Sequence, residues 1–331
     1  MIEPDRRVSA LASPIKSGPV DYIRALGRAD GTWALVFAET APPKDQSPNP
    51  PVVDYWFAVS DGKTWRQLTR LPRVQGTLDA FGASRIVEAK GTLAIAVPVW
   101  PSGATDRGLP SEDIVVFTER AGVWTATTLP TKRNGYVTLA ASSAGDLALG
   151  VVSYDTTLSS DHNSLFLFER RRNDSVWHDR GRLIRGGAEP VHYPELALDR
   201  SGLAVTFLTR TDSSHSFSAR VLLRADSAST QLITLANDLE AVRQVTARRR
   251  AWLSLTTGRT ADSGGVLRAH QYVGDSLITR ELSMPRFESL FATTSTRRAV
   301  YVTGPVRGRR REQVNVGSYL LTLDWRCDSI P

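Results

Sequence analysis

The sequence predicts an all-β fold made of one repeated antiparallel sheet. An apolar segment directly after a turn occurs six times along the chain. Its repeat distance of roughly 50 to 60 residues is the length of one four-stranded propeller blade. Turn residues and period-2 alternation divide each repeat into four strands, which we call A to D. We therefore expect a six-bladed β-propeller of four-stranded antiparallel blades. The six apolar segments are residues 33–38, 93–97, 147–152, 203–207, 251–255 and 299–302.

The four strands of each repeat follow from their composition. The A-to-B turns, such as residues 27–31, are rich in Gly and Asp, which tolerate the positive φ of tight hairpins. Strand B is the apolar segment, as expected for a strand buried between neighbouring blades. Strand C is rich in aromatic residues, as in residues 54–59. Trp65, Trp124 and Trp177 mark strand D in the first three repeats, and we expect their indole rings to pack between adjacent blades.

The repeat extends along the whole chain, which predicts a single domain over residues 1–331. The sixth repeat has no strand D after residues 318–323, whereas residues 7–15 have the pattern of an outer strand. We expect residues 7–15 to complete the last blade and close the ring, because closure removes an exposed sheet edge. The predicted blades are residues 20–72, 78–130, 134–185, 190–236, 238–284 and 286–327.

Composition and charge narrow the class of protein. The chain has a net charge of +7, which favours anionic partners such as acidic proteins, phospholipid head groups or carboxylated sugars. No apolar run approaches the ~20 residues of a membrane-spanning helix, so we expect a soluble or peripheral protein. Residues 1–7 show no signal-peptide pattern, and the compartment stays open. Cys327 is the one cysteine, so no internal disulfide is expected.

One predicted C-to-D turn carries a motif that points to a family. The segment Ser60-Asp-Gly-Lys-Thr-Trp65 resembles the Asp-box of sialidase-type propellers, Ser-x-Asp-x-Gly-x-Thr-Trp, with one residue missing between Asp61 and Gly62. In such a turn the Asp accepts hydrogen bonds from turn amides, Gly permits the turn, and Trp65 packs in the core. The resemblance implies a sialidase-like propeller at the level of the fold.

The same resemblance assigns no catalytic residue. Sialidases of this family carry an arginine triad, a Tyr/Glu nucleophile pair, an acidic Asp and a Phe/Tyr-Arg-Ile-Pro segment. The nearest string here, residues 84–87, lacks both the leading aromatic residue and the proline. Residues 62–64 imitate the end of a phosphate-binding loop but precede a strand, and neither a Gly-x-Ser-x-Gly elbow nor a His-Glu-x-x-His helix occurs. We expect no cofactor and no metal.

Candidate binding residues lie in the B-to-C and D-to-A connections, which emerge on one face of a propeller. They combine aromatic rings, arginines, histidines and carboxylates. Aromatic faces stack on sugars, and arginine holds a carboxylate through two hydrogen bonds. Solvated loops of any propeller contain the same residue types, which is the alternative explanation. The candidates are Asp79, Phe81, Trp100, Asp106, Arg107, Tyr136, Tyr154, His162, His192, Tyr193, Arg210, His215, Arg286 and Arg307.

Two further features suggest a partner. The proline-rich residues 41–51 form either a docking arm or a stiff surface insertion. Arginine runs at residues 170–172, 248–250 and 309–311 favour an acidic protein or an anionic membrane surface, unless they are solvated turn charges. Nucleic acid is disfavoured, because no aromatic residues alternate with these arginines.

Two functions remain after these observations. No loop motif repeats in all six blades and no catalytic signature is present, which favours a non-catalytic interaction or assembly subunit, extrinsic to a membrane complex. The alternative is a sialidase-like glycoside hydrolase or glycan-binding protein with its site at the mouth of the channel.

Overall fold

The computed structural model shows a protein made of β-strands. In the part of the chain that it describes, none of the segments is an apolar helix of membrane-spanning length. The described residues are 20–28, 30–40, 53–61, 64–79, 83–100, 113–131, 135–153, 163–187, 190–199, 202–210, 217–225, 230–248, 251–259, 265–273, 276–282, 292–295, 299–306 and 317–324.

The chain divides into two compact units, and the first, Met1–Gly187, contains three antiparallel sheets. Each sheet follows the order of the chain, except that β5 and β6 both pair with β7. The first sheet comprises β1 (Val20–Gly27), β2 (Trp33–Thr40), β3 (Val53–Ser60) and β4 (Trp65–Arg70). The second comprises β5 (Thr77–Leu78), β6 (Val87–Ala89), β7 (Thr92–Trp100), β8 (Asp113–Arg120) and β9 (Val123–Leu129). The third comprises β10 (Val137–Ala141), β11 (Leu147–Ser153), β12 (Ser164–Arg170) and β13 (His178–Ile184).

The second unit, Ala188–Pro331, contains a seven-stranded sheet and a three-stranded sheet, both antiparallel. The larger sheet comprises β14 (His192–Asp199), β15 (Gly202–Thr209), β16 (Phe217–Ala225), β17 (Thr230–Arg248), β18 (Ala251–Arg259), β19 (Gly265–Val273) and β20 (Ser276–Leu282). The smaller comprises β21 (Ala292–Ser295), β22 (Ala299–Val306) and β23 (Gly317–Asp324). The long strand β17 pairs with β16 through residues 230–239 and with β18 through residues 239–248.

These sheets confirm the predicted all-β, antiparallel architecture at a coarse level. Each of the six apolar segments lies in a strand that pairs with a neighbour on both sides: β2, β7, β11, β15, β18 and β22. The number of blades and the closure of a ring stay predictions, and residues 7–15 lie outside the described residues.

The core of the first unit lies between successive sheets. Alternate residues of β7 face opposite neighbours: Ile95 belongs to a cluster with residues of the first sheet, and Ala96 to a cluster with residues of the third. A strand covered on both faces must be apolar at every position, which explains its continuous hydrophobic sequence. Trp124 of β9 packs on Phe57 of β3 with 5.0 Å between ring centroids, and Trp177 belongs to the cluster that joins the second and third sheets.

Arginine side chains add polar contacts between the sheets of this unit. Arg24 of β1 donates from Nε and Nη2 to the carbonyl oxygen of Ala83, at 3.2 and 2.9 Å. Arg85, which precedes β6, donates from Nε to the carbonyl oxygen of Leu139 in β10, at 3.3 Å. Each guanidinium therefore links one sheet to a backbone carbonyl of the next.

The turn that resembles an Asp-box is closed by its own polar groups. The Asp61 carboxylate accepts from the Thr64 amide at 2.7 Å and from Arg66 Nε at 3.2 Å, and the Ser60 hydroxyl donates to the Thr64 carbonyl at 3.0 Å. Trp65 then begins β4 and packs against Phe37 and Ala58 of its own sheet. Gly62 lies outside the described residues.

Candidate functional site

The two ends of each sheet differ in their connections. At one end, which we call the hairpin edge, the first strand of a repeat ends and the second begins, and the third ends where a fourth follows. At the other end, which we call the loop edge, the first strand begins, the second ends and the third begins. The predicted binding residues that the structure describes lie at loop edges: Asp79, Trp100, Tyr136, His192, Tyr193 and Arg210.

Four described residues other than glycine have a positive φ, and two of them are explained by hairpins. Lys90 (φ 49°) and Ala121 (φ 53°) lie at hairpin edges, and each is followed by a glycine of positive φ, Gly91 or Gly122. Two consecutive positive φ values are what a two-residue type I′ hairpin requires. The positive φ values of Lys90 and Ala121 are therefore explained by the hairpin turns in which these residues lie.

The other two, Asn163 (φ 54°) and Tyr193 (φ 47°), lie at loop edges. Asn163 immediately precedes β12, and Tyr193 lies within β14 at a register shift between His192 and Glu195. Asparagine tolerates the left-handed conformation, whereas for an aromatic residue it costs about 1 to 3 kcal/mol and occurs preferentially at functional sites. The loop edges thus contain strain that no hairpin explains.

Aromatic rings meet at the loop edge of the seven-stranded sheet. His192 pairs with Leu208, and its ring meets that of Phe217 edge-on, with 5.5 Å between centroids. Tyr193 lies 6.3 Å from the His192 ring, and 52% of its surface is exposed. This edge therefore presents an exposed phenol ring held beside a packed imidazole.

Two polar residues follow at the end of β15. Thr209 is only 2% exposed, and its hydroxyl has no hydrogen-bond partner in the described chain. Arg210 comes next and is half-buried, two positions beyond the residue that pairs with His192. A stacking ring and a guanidinium at one edge are the groups that bind a sugar bearing a carboxylate.

The loop edges of the first unit hold Asp79, Trp100 and Tyr136. The Asp79 amide donates to the Pro98 carbonyl at 2.9 Å, and its carbonyl accepts a short hydrogen bond from the Tyr55 hydroxyl. Trp100 ends β7, and the Tyr136 carbonyl accepts from the Val152 amide at 3.0 Å. These contacts fix the backbone of Asp79 and Tyr136 at the start of the second and third sheets.

The structure places the rings of two predicted residues, His192 and Tyr193, beside each other, and a third, Arg210, follows the end of β15 two positions beyond the partner of His192. Sequence reasoning missed Phe217, Thr209 and Asn163. An asparagine directly after a long polar connection and before an apolar strand is a signal for a left-handed residue, but nothing in the sequence marks a buried group without a partner. The other candidates lie outside the described residues: Phe81, Asp106, Arg107, Tyr154, His162, His215, Arg286 and Arg307.

The described residues form no metal centre, and they include the first arginine run. They contain no group of three or more His, Cys, Asp or Glu side chains that could hold a metal ion. In the first arginine run, Arg170 lies 5.3 Å from the Trp177 ring centroid, and burial lowers its pKa. The Arg172 amide donates to the Asp146 carboxylate at 3.0 Å. The side chain of Arg170 and the backbone of Arg172 therefore both make contacts within the third sheet.

Comparison with known proteins gives matches of structure but not of sequence. No protein-family model and no curated protein sequence matches this chain. The GH93 α-L-arabinofuranosidase of Fusarium graminearum, solved with arabinobiose, superposes with a TM-score of 0.60 at 15% identity, over 93% of this chain and 96% of that chain. A PL25 ulvan lyase superposes with a TM-score of 0.59 at 10% identity, over 91% of this chain and 78% of that chain. The NanB sialidase from Streptococcus pneumoniae superposes with a TM-score of 0.55 at 12% identity, over 96% of this chain and 69% of that chain.

At the level of the fold, this chain resembles the sialidase-type β-propellers. The interpretation as a non-catalytic assembly subunit, extrinsic to a membrane complex, is wrong. The solved structures that share the fold are mostly enzymes that cleave glycans. The error came from treating missing motifs as evidence, although chains only 10% to 15% identical need not retain a common short motif.

Proposed function

We propose that this chain is a glycan-cleaving β-propeller enzyme, with a glycoside hydrolase reaction at its loop edges. The observation that carries the proposal is the set of enzymes that share its fold. An arabinofuranosidase, an ulvan lyase and a sialidase superpose on more than nine-tenths of the chain. The proposed architecture is one domain of six blades, in which residues 7–15 complete the last blade.

The residues of the β14–β16 loop edge support a role in recognition. Tyr193 offers an exposed ring for stacking on a sugar, and the neighbouring His192 ring packs on Phe217. Sugar rings carry apolar C–H faces, and aromatic side chains bury them at low entropic cost. We assign these residues to substrate binding and assign bond cleavage to no described residue.

Charge supports an acidic glycan as the substrate. The net charge of +7 attracts anionic polymers, and Arg210 lies two positions beyond the residue that pairs with His192. A guanidinium binds a carboxylate through two parallel hydrogen bonds, which fixes both the position and the orientation of a uronic or sialic acid. A neutral glycan has neither the attraction to the net positive charge nor the hydrogen bonds to the guanidinium.

The proposal is tested by incubating the purified chain with ulvan, sialyllactose and arabinan. We expect release of new reducing ends, with faster turnover on the two acidic substrates. Products with an unsaturated uronic acid, detected by ultraviolet absorbance, would assign a lyase reaction instead of hydrolysis. Binding without cleavage would leave a glycan-binding protein, and neither binding nor cleavage of any of the three would contradict the proposal.

A further inference from the structure

Asn163 is a buried residue at the loop edge of the third sheet. It lies between the end of β11 and the start of β12, and its amide donates to the carbonyl oxygen of Ser153 at 2.7 Å. The residue is 6% exposed, and its side-chain Oδ1 has no hydrogen-bond partner in the described chain. The backbone bond holds the residue in place, while the amide oxygen contributes nothing to the fold.

This arrangement is costly for folding. A buried oxygen without a donor costs about 1 to 3 kcal/mol in lost hydration. Glycine adopts the left-handed φ of Asn163 at least as readily as asparagine does. The fold would therefore be at least as stable with glycine at this position.

Ser142, at the hairpin edge of the same sheet, shows what a structural polar residue looks like here. Its hydroxyl donates to the Asp146 carboxylate at 3.0 Å. It also accepts from the amides of Ala144 at 3.2 Å and Asp146 at 3.0 Å. All the bonding capacity of Ser142 serves its own turn, whereas the Oδ1 of Asn163 serves none.

We propose that Asn163 Oδ1 is a substrate-binding group that accepts a hydrogen bond from a sugar hydroxyl. This inference rests on the proposed function and adds a recognised group to it. The amide oxygen accepts a hydrogen bond and donates none, so Oδ1 pairs with a hydroxyl and not with a carboxylate. Asn163 thus selects a neutral hydroxyl of the glycan, which complements the charge recognition proposed for Arg210.

The test compares Asn163→Gly with the control Ser142→Ala. Thermal unfolding is measured for each variant, and calorimetric titration uses sialyllactose, arabinobiose and ulvan oligosaccharides as probes. Asn163→Gly should unfold at the same or a higher temperature and bind the preferred probe about tenfold more weakly, because one hydrogen bond to the ligand is lost. Ser142→Ala should unfold at a lower temperature and bind normally.

Two results overturn the inference. One is an Asn163→Gly variant whose unfolding temperature falls as far as that of Ser142→Ala, since Asn163 would then be structural. The other is unchanged affinity of Asn163→Gly for a probe that the unmodified chain binds, which leaves the proposed function intact. If the unmodified chain binds none of the probes, the proposed function fails and the inference fails with it.

Discussion

His270 in β19 shows how burial controls one ionisable side chain. The residue is 2% exposed, and its Nδ1 lies 3.0 Å from the Thr279 hydroxyl oxygen of β20. Burial, with a smaller contribution from the positive charge of Arg268, lowers the pKa of His270 from 6.5 to about 4. The imidazole is therefore neutral in the folded protein throughout the mildly acidic range.

Stability should consequently fall as the pH falls from 6.5 towards 4. In that window the unfolded chain protonates His270 while the folded chain does not, so acid favours unfolding. The free energy of unfolding should decrease by up to about 3 kcal/mol, since one pKa unit corresponds to about 1.4 kcal/mol. Chemical denaturation at a series of pH values measures this decrease in the free energy of unfolding. His270→Gln should lose this part of the pH dependence, and an identical slope in both proteins would rule out His270 as its source.

The residues that matter at the loop edges could be predicted only in part. Sequence position and chemistry identify His192, Tyr193 and Arg210, because they flank predicted strands on the side of the longer connections. Asn163 and Thr209 are different, since their significance lies in lacking a partner. That property depends on every neighbour in three dimensions and leaves no trace in the local sequence.

Large side chains of the outer strands add to the packing between sheets. Trp124 of β9 is 8% exposed and packs on Phe57 of β3, but its Nε1 has no partner among the described residues. Its contribution is therefore apolar. Val123, the preceding residue of the same strand, is 64% exposed and faces away from this core.

These positions predict a sharp contrast in one strand. Trp124→Ala should lower the free energy of unfolding by about 3 to 5 kcal/mol, as expected when a buried aromatic ring is removed. Trp124→Phe should cost clearly less, because it retains a ring and removes the indole N–H that lacks a partner. Val123→Ala should change stability by less than about 0.5 kcal/mol. Denaturant unfolding measures all three, and equal losses for Trp124→Ala and Val123→Ala would contradict the packing described here.

The sequence predicts the positions of strands that are buried on both faces. It predicts less well where one strand runs on through a turn-like sequence. The apolar segments of β7, β11 and β15 are buried on both faces, so their sequences contain the signal directly. Asn237 and Asp238 in β17 are typical turn residues, and a boundary between repeats was predicted there. The backbone instead continues through them, because β16 and β18 each pair with one half of the strand.

At the scale of the whole molecule, the sequence predicts the architecture better than the activity. A repeat of turns and apolar strands is a property of many residues and survives extensive sequence change. A catalytic site depends on a few residues, and most of the predicted candidates lie in connections outside the described residues. The motif at residues 60–65 therefore indicated the sialidase-type fold, and the solved structures that share this fold are mostly glycan-cleaving enzymes.

Closure of the ring gives a prediction for the whole chain. If residues 7–15 complete the last blade, removal of residues 1–17 leaves β23 as an exposed sheet edge. The truncated protein should unfold at a clearly lower temperature and aggregate more readily. Differential scanning calorimetry and light scattering measure these effects, and an unchanged unfolding temperature would contradict closure by the N-terminal strand.

The claim that glycans are recognised at the loop edges is tested most directly by comparing two glycine substitutions. Tyr193→Gly and Lys90→Gly both relieve a positive φ at an exposed residue, one at a loop edge and one at a hairpin edge. Both variants should keep or gain stability, because glycine adopts this conformation without strain. For the glycan that the chain cleaves, kcat/KM should fall about tenfold in Tyr193→Gly, where a stacking ring is lost, and stay unchanged in Lys90→Gly. Equal kcat/KM values in the two variants would contradict glycan recognition at this edge.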